Sequence, residues 1–88
     1  MTKLYEVLLE PRAQKELDKV PSEVFSKIDA AILALAKNPR PFGTKKLDEK
    51  LHRIRVGDWR VLYAVLDKEA RVVVLRIARR NEKTYKGM

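Results

Sequence analysis

The sequence predicts an α+β fold in which a mainly antiparallel sheet carries a helical hairpin on one of its faces. Three observations indicate this fold: a short strand opens the chain, two amphipathic helices follow it, and three consecutive strands follow the helices. With 88 residues, the chain is expected to form one domain over residues 1–88, built around a single modest core.

The first strand is predicted at residues 4–9, where apolar and polar side chains alternate, and the two helices come directly after it. Pro11 suits the first position of a helix, whereas Pro21 ends that helix and begins a second one, which we expect to end at Asn38. Each helix carries an apolar stripe; the stripes are Ala13, Leu17 and Val20 in the first and Val24, Phe25, Ile28, Ile32, Leu35 and Ala36 in the second.

A β-hairpin is predicted around Gly57-Asp58, because β-branched and apolar runs flank this pair and a two-residue loop with glycine first is typical of a type II′ turn. This turn pairs Val56 with Trp59 and therefore Arg55 with Arg60. Side chains alternate between the two faces of a strand. We therefore expect a core face formed by Ile54, Val56, Trp59, Val61, Tyr63 and Val65, and an arginine face formed by Arg53, Arg55 and Arg60.

The last strand is predicted at residues 71–78, and the length of the loop after Leu66 decides which of its side chains are buried. A loop of three or five residues adds Val73, Leu75 and Ile77 to the core face and Arg76 to the arginine face. A four-residue loop would bury Arg76 among valines at a cost of several kcal/mol. We therefore expect a loop with an odd number of residues. The helices should then cover the core face and leave the arginine face open.

Charge and composition limit the possible functions. The net charge is +8: residues 1–49 carry nine Lys/Arg and eight Asp/Glu, whereas residues 50–88 carry eleven and four. Such a basic half suits a polyanionic partner. With no cysteine and one histidine, we expect no disulfide, metal or cofactor. No run is long enough to span a membrane, so we expect a cytoplasmic protein.

The arginine face is the strongest candidate site, because one guanidinium group can donate two parallel hydrogen bonds to two phosphate oxygens. Several converging arginines can also stabilise a pentavalent phosphorane. A solvated sheet face is the alternative, but such faces usually mix Lys, Glu and Thr. Like charges opposed across two strands are destabilising, which is expected where an anion binds between them.

Residues outside the hairpin add weaker candidates. Tyr85 could stack on a base or, with a lowered pKa, accept a proton from a ribose 2′-OH, although Tyr85, Arg79 and Arg80 could also form only a frayed basic terminus. For His52, packing at the edge of the core is favoured over catalysis. Residues 39–50 are predicted to form a loop anchored by Leu47, whose Lys45, Lys46 and Lys50 could contact phosphates.

The motif R-I-R-V-G-D-W-R-V-L-Y, followed by R-R-N-E-K-T-Y, resembles the RelE/ParE toxin superfamily of toxin-antitoxin modules, and its RelE branch in particular. The resemblance extends over essentially the whole chain, including P-R-A-x-K-E-L at the start of the first helix. It implies a metal-independent endoribonuclease that cuts mRNA in the ribosomal A site and thereby inhibits translation. The 2′-OH would attack the adjacent phosphate and leave a 2′,3′-cyclic phosphate. It also implies an antitoxin whose acidic segment wraps the toxin.

By this resemblance, Arg60 and Arg80 would hold the scissile phosphate, with Arg79 in place of Arg80 if the gap to the tyrosine is counted differently. Arg53 and Arg55 would position the nucleotide, and Tyr85 would orient or deprotonate the 2′-OH. The remaining basic candidates for RNA binding are Arg76, Arg79, Lys45, Lys46 and Lys50. Arginine stands at Arg53 and Arg55 where relatives often have lysine, so the sheet offers no easily deprotonated base. Two other functions remain open: a ParE-like inhibitor of DNA gyrase that acts by protein binding, and a non-catalytic nucleic-acid-binding module.

Overall fold

The structure is a computed structural model that describes residues 4–79. Within these residues, the fold consists of two helices and one five-stranded sheet. The elements in chain order are β1 (Glu6–Leu9), α1 (Pro11–Asp18), α2 (Ser22–Ala34), β2 (Lys45–Lys46), β3 (Leu51–Val56), β4 (Trp59–Leu66) and β5 (Arg71–Arg79). The strand order is β1-β5-β4-β3-β2, and only β1 and β5 are parallel. The predicted α+β fold is therefore confirmed. In residues 4–79, no helix is long and apolar enough to cross a membrane.

The prolines place both helices as the sequence predicts. Pro11 occupies the first turn of α1, and Pro21 caps the start of α2. Regular helix ends at Ala34 rather than at Asn38, although the Asn38 N–H still donates to the Ala34 carbonyl. Phe25 is exposed, so the apolar stripe of α2 is narrower than predicted.

The core lies between the two helices and the core face of the sheet. Burial of each large aliphatic side chain in it contributes about 1.5–3 kcal/mol to stability relative to an exposed position. The buried residues are Ala13, Leu17 and Val20 around α1, Ile28, Ile32 and Leu35 from α2, and Ile54, Val61, Tyr63, Val65, Val72, Val74 and Ile77 from the sheet. Helices α1 and α2 thus cover the core face that the register of β3 with β4 predicts.

The loop between β4 and β5 corrects one prediction. It has four residues, because Leu66 pairs with Arg71, and it closes with Ala70 at a positive φ of 53°. Val72 and Val74 consequently enter the core in place of the predicted Val73 and Leu75.

A β-bulge at Leu75 explains why the four-residue loop does not bury an arginine. Tyr63 pairs with Val74 whereas Leu62 pairs with Arg76, so Leu75 is an extra residue on β5. The bulge reverses the alternation of β5 at this point. Arg76 therefore returns to the arginine face and Ile77 to the core, as predicted.

The loop after α2 is anchored differently from the prediction. Leu47 is exposed, and its N–H donates to the Leu51 carbonyl. The buried anchor is instead Pro39, whose carbonyl accepts a hydrogen bond of 2.8 Å from the Tyr63 hydroxyl. Farther along, the Arg40 guanidinium binds both carboxylate oxygens of Asp67, at 2.8 and 3.3 Å. This pair connects the loop to the turn between β4 and β5.

Candidate phosphate-binding face

The turn between β3 and β4 sets the geometry of the candidate site. Gly57 has a φ of 59° and Asp58 does not have a positive φ, as a type II′ turn requires. The register pairs Val56 with Trp59 and Arg55 with Arg60, as predicted. Since directly opposed residues share a face, Arg53, Arg55 and Arg60 all lie on the side of the sheet opposite the helices.

The three arginines differ in exposure. Arg55 on β3 is exposed and Arg53 is half-buried, whereas Arg60 is only 1% exposed. The prediction that the arginine face is open is therefore right for Arg55 and wrong for Arg60. Arg60 belongs to β4, which lies between β3 and β5, so it has neighbours on both sides: Arg55 on one and Ala78 on the other.

The opposed pair Arg55 and Arg60 concentrates positive charge over a short distance. The Cβ atoms of directly opposed residues lie about 5 Å apart, and like charges there are unfavourable. An anion bound between them would relieve that repulsion. Phosphate is well suited, because its oxygens can each accept hydrogen bonds from planar guanidinium groups.

Arg76 extends the arginine face onto β5, because Arg53 and Arg76 both pair with Leu62. Its Nε donates to Glu16 of α1 at 3.1 Å, and the same carboxylate accepts the Ile77 N–H at 2.8 Å. Glu16 thus fixes the second half of β5, beyond the residues that pair with β1. The charge of Arg76 is partly balanced by this half-buried ion pair, which makes Arg76 a weaker phosphate ligand than the sequence predicts.

The other basic candidates do not gather on one face. Lys45 pairs with Arg53 and shares the arginine face, but Lys46 pairs with His52 and shares the opposite face. Arg79 pairs with Trp59 and also belongs to the opposite face. Lys50 precedes β3, five residues or about 17 Å of extended strand from Arg55. Arg80 and Tyr85 lie outside the described residues.

His52 packs in the core edge, as the sequence favours. It is 3% exposed and stacks on Tyr63 with a centroid distance of 5.7 Å. Burial, together with the nearby charges of Arg40 and Lys46, lowers the pKa of His52. Because the register places His52 opposite Tyr63 on the core face, the imidazole is on the wrong side of the sheet to act at the arginine face.

Three residues were not singled out from the sequence, although the structure gives them clear roles or positions: Glu16, Arg40 and Phe42. No local sequence pattern indicates the roles of Glu16 and Arg40, because their ion pairs join segments that are far apart in the chain. Phe42 did have a signal, an aromatic residue between Pro41 and Gly43, in a turn where apolar side chains are unusual. No cluster of three or more His, Cys, Asp or Glu residues that could hold a metal ion is present in residues 4–79.

Comparison with known proteins identifies the family. A family model described as "ParE toxin of type II toxin-antitoxin system, parDE" matches residues 7–84 of this chain. The chain is a toxin of the RelE/ParE superfamily. This toxin is 32% identical over 80 residues to Toxin RelE of Mycobacterium tuberculosis, covering 88% of this chain and 82% of that protein. The family resemblance inferred from the hairpin motif is thereby confirmed.

Solved structures place the toxin in the RelE-like part of this superfamily. It superposes on the RelBE2 toxin-antitoxin complex of M. tuberculosis with a TM-score of 0.78 and 25% identity, covering 91% of this chain and 95% of that one. The archaeal RelE-RelB complex of Pyrococcus horikoshii gives a TM-score of 0.77 at 25% identity, covering 93% and 99%. The protein is thus a RelE-like toxin of a type II toxin-antitoxin module.

Proposed function

We propose that this toxin is a metal-independent endoribonuclease that cuts mRNA in the ribosomal A site. The observation that supports the proposal best is the pairing of Arg55 with Arg60 on the arginine face, next to Arg53. A RelE-like toxin with this cluster has what is needed to hold a phosphodiester and to stabilise added negative charge on it.

The proposed reaction needs no group beyond RNA and protein side chains. The ribose 2′-OH loses its proton to a base and its oxygen attacks the adjacent phosphorus. The bond from phosphorus to the 5′-oxygen then breaks, leaving a 2′,3′-cyclic phosphate, and the released 5′-oxygen of the next nucleotide takes a proton from water to become a 5′-OH. In this scheme Arg60 and Arg80 hold the phosphate, with Arg53 and Arg55 positioning the nucleotide. Because Arg60 is only 1% exposed, the side chains that cover its guanidinium must move aside when RNA binds.

The family motif gives Tyr85 the role of orienting or deprotonating the 2′-OH. A guanidinium group stays charged at all relevant pH values and cannot take the proton. His52 is buried against Tyr63 on the core face, away from the arginines. Since His52 is the only histidine of the chain, the imidazole that many ribonucleases use is excluded from this role.

The proposed partner is a cognate antitoxin. In the M. tuberculosis and P. horikoshii structures the similar toxin is bound to its antitoxin. An acidic antitoxin segment would compete with RNA for the arginine face of a chain with a net charge of +8. The second candidate target, DNA gyrase, is favoured by the ParE description of the matching family model, and it would require a protein interface rather than phosphate binding.

The test is primer extension on an mRNA that is either translated or untranslated in a reconstituted system with purified toxin. We expect cleavage only in the translated mRNA. Arg55→Ala should lower the cleavage rate about 10- to 100-fold, since it removes one charge-assisted contact to phosphate. Arg12→Ala, which removes an exposed arginine from α1 on the other side of the sheet, serves as the charge-matched control and should cleave normally.

Two results would contradict the proposal. Inhibition of gyrase supercoiling by the toxin, with no mRNA cleavage, would support the ParE-like function instead. Full cleavage by both Arg55→Ala and Tyr85→Phe would show that the arginine face and the family tyrosine are not the catalytic site.

A further inference from the structure

Phe42 is an aromatic residue that does not pack in the core. Its side chain is fully exposed at the corner of a turn in the loop after α2. The Thr44 N–H donates to the Pro41 carbonyl at 3.0 Å, and Gly43 has a φ of 91°, as the third position of a type II turn requires. The turn therefore holds the ring out in solvent, where it adds nothing to the core.

Phe42 lines a cavity of about 710 Å³ between α2, this loop and the edge of β3. That volume is within the range of small-ligand sites. Among residues 4–79, Lys45, Arg53 and Arg55 also line the cavity and no Asp or Glu does. Three other surface cavities each include at least one Asp or Glu. The charges of this cavity thus favour an anionic ligand.

The cavity is continuous with the arginine face, because Arg53 and Arg55 belong to both. β2 pairs with β3 only at His52 and Arg53. In residues 4–79, no strand covers the β3 edge beyond that point, so a chain bound across the arginine face can pass over it into the cavity. An RNA strand gripped at Arg55 would have its neighbouring nucleotide in this position.

We propose that this cavity is a nucleotide subsite, in which Phe42 stacks on the base next to the cleaved bond and Lys45 contacts its phosphate. The inference rests on the proposed ribonuclease function and adds a substrate contact to it. An exposed ring beside cations is the combination that single-stranded nucleic acids use, because every base has a flat face to stack and a phosphate to neutralise. A peptide anchor would instead require Phe42 to be covered by apolar side chains of the partner.

The experiment measures binding of a 2′-O-methyl RNA oligonucleotide, which cannot be cleaved, with 2-aminopurine placed at successive positions. In the unaltered toxin, one position should show strong quenching by stacking. Phe42→Leu keeps an apolar side chain but removes the ring; it should abolish this quenching and weaken binding about 5- to 100-fold. Phe42→Trp should restore both. Because Phe42 is exposed, these variants should fold normally.

The same substitution at another exposed phenylalanine, Phe25→Leu on α2, is the control and should bind as the unaltered toxin does. If Arg55→Ala weakens RNA binding but Phe42→Leu does not, the subsite is refuted while the proposed function stands. If Phe42→Leu spares RNA binding but prevents neutralisation by the cognate antitoxin, the cavity is an antitoxin site and the inference is wrong. If the unaltered toxin fails to bind the oligonucleotide even when it is placed in the A site of a programmed ribosome, the proposed function is refuted as well.

Discussion

At the scale of single residues, ion pairing separates arginines that stabilise the fold from an arginine that is exposed for binding. Arg76 is held by Glu16, and Arg40 is held by Asp67. Arg55, in contrast, is exposed and directly opposed to another arginine. The proposed phosphate site therefore depends on Arg55 and Arg60 rather than on the number of basic residues in the chain.

His52 provides a prediction at this scale. Burial and the charges of Arg40 and Lys46 lower its pKa in the folded chain, so the unfolded chain takes up a proton that the folded chain does not. The stability contributed by neutral His52 is complete above about pH 6.5, the ordinary histidine pKa, and declines as pH falls below it. We expect the urea midpoint to decrease between pH 7.5 and pH 5.5.

The control for this measurement is His52→Gln, which cannot titrate. Since the chain has one histidine, the pH dependence in this range should become clearly flatter in the variant. Parallel curves for the two proteins, or an NMR titration of His52 with a pKa above 6.5, would contradict the prediction.

At the scale of elements, the loop between β4 and β5 contains a residue in an unfavourable conformation. Ala70 has a φ of 53°, where an L-residue with a Cβ is disfavoured by about 1–2 kcal/mol. Its backbone is nevertheless held, because its N–H donates to the Asp67 carbonyl and its own carbonyl accepts from Glu6 of β1. The sheet thus imposes this conformation on the loop.

Ala70→Gly should therefore stabilise the toxin by about 0.5–1 kcal/mol, after the larger entropy of the unfolded glycine chain is subtracted. The melting temperature should rise by roughly 2–6 °C. Ala30→Gly, the same change at an exposed position in α2, should lower it, because glycine disfavours helix. A lower melting temperature for Ala70→Gly would show that the loop is not strained.

These elements also show which parts of the fold could be predicted from the sequence. Gly57-Asp58 is a strong turn signal, so the register of β3 with β4 and the arrangement of Arg53, Arg55 and Arg60 followed from it. Ala70 at a positive φ has no such signal, and neither has the bulge at Leu75. The prediction of which β5 side chains are buried was therefore wrong for the first half of the strand. Arg60 lies between Arg55 and Ala78, residues of two other strands, and the local sequence pattern does not indicate its burial.

At the scale of the whole molecule, the positive charge is concentrated in the half of the chain that builds β3, β4 and β5, whereas residues 1–49 are nearly balanced. The helices come from the balanced half and lie on the core face. An approaching polyanion is therefore attracted mainly toward the strands of the basic half.

Binding of single-stranded RNA should accordingly weaken with salt. Each phosphate contact contributes about 0.7 to the slope of log affinity against log salt concentration. Arg55→Ala should reduce that slope by about 0.7, whereas Arg12→Ala should leave it unchanged. Fluorescence anisotropy at several salt concentrations measures both. Equal slopes for the two variants would indicate that RNA responds only to net charge and not to the arginine face.

The bulge at Leu75 has a consequence for how this protein can vary in evolution. One additional residue allows β5 to supply valines to the interior near its start and an arginine to the opposite side near its end. If Leu75 instead paired regularly with Leu62, Arg76 would turn inward and Ile77 outward without any change of amino acid. Substitutions that favour regular pairing at Leu75 are thus expected to be selected against more strongly than other conservative changes in this strand.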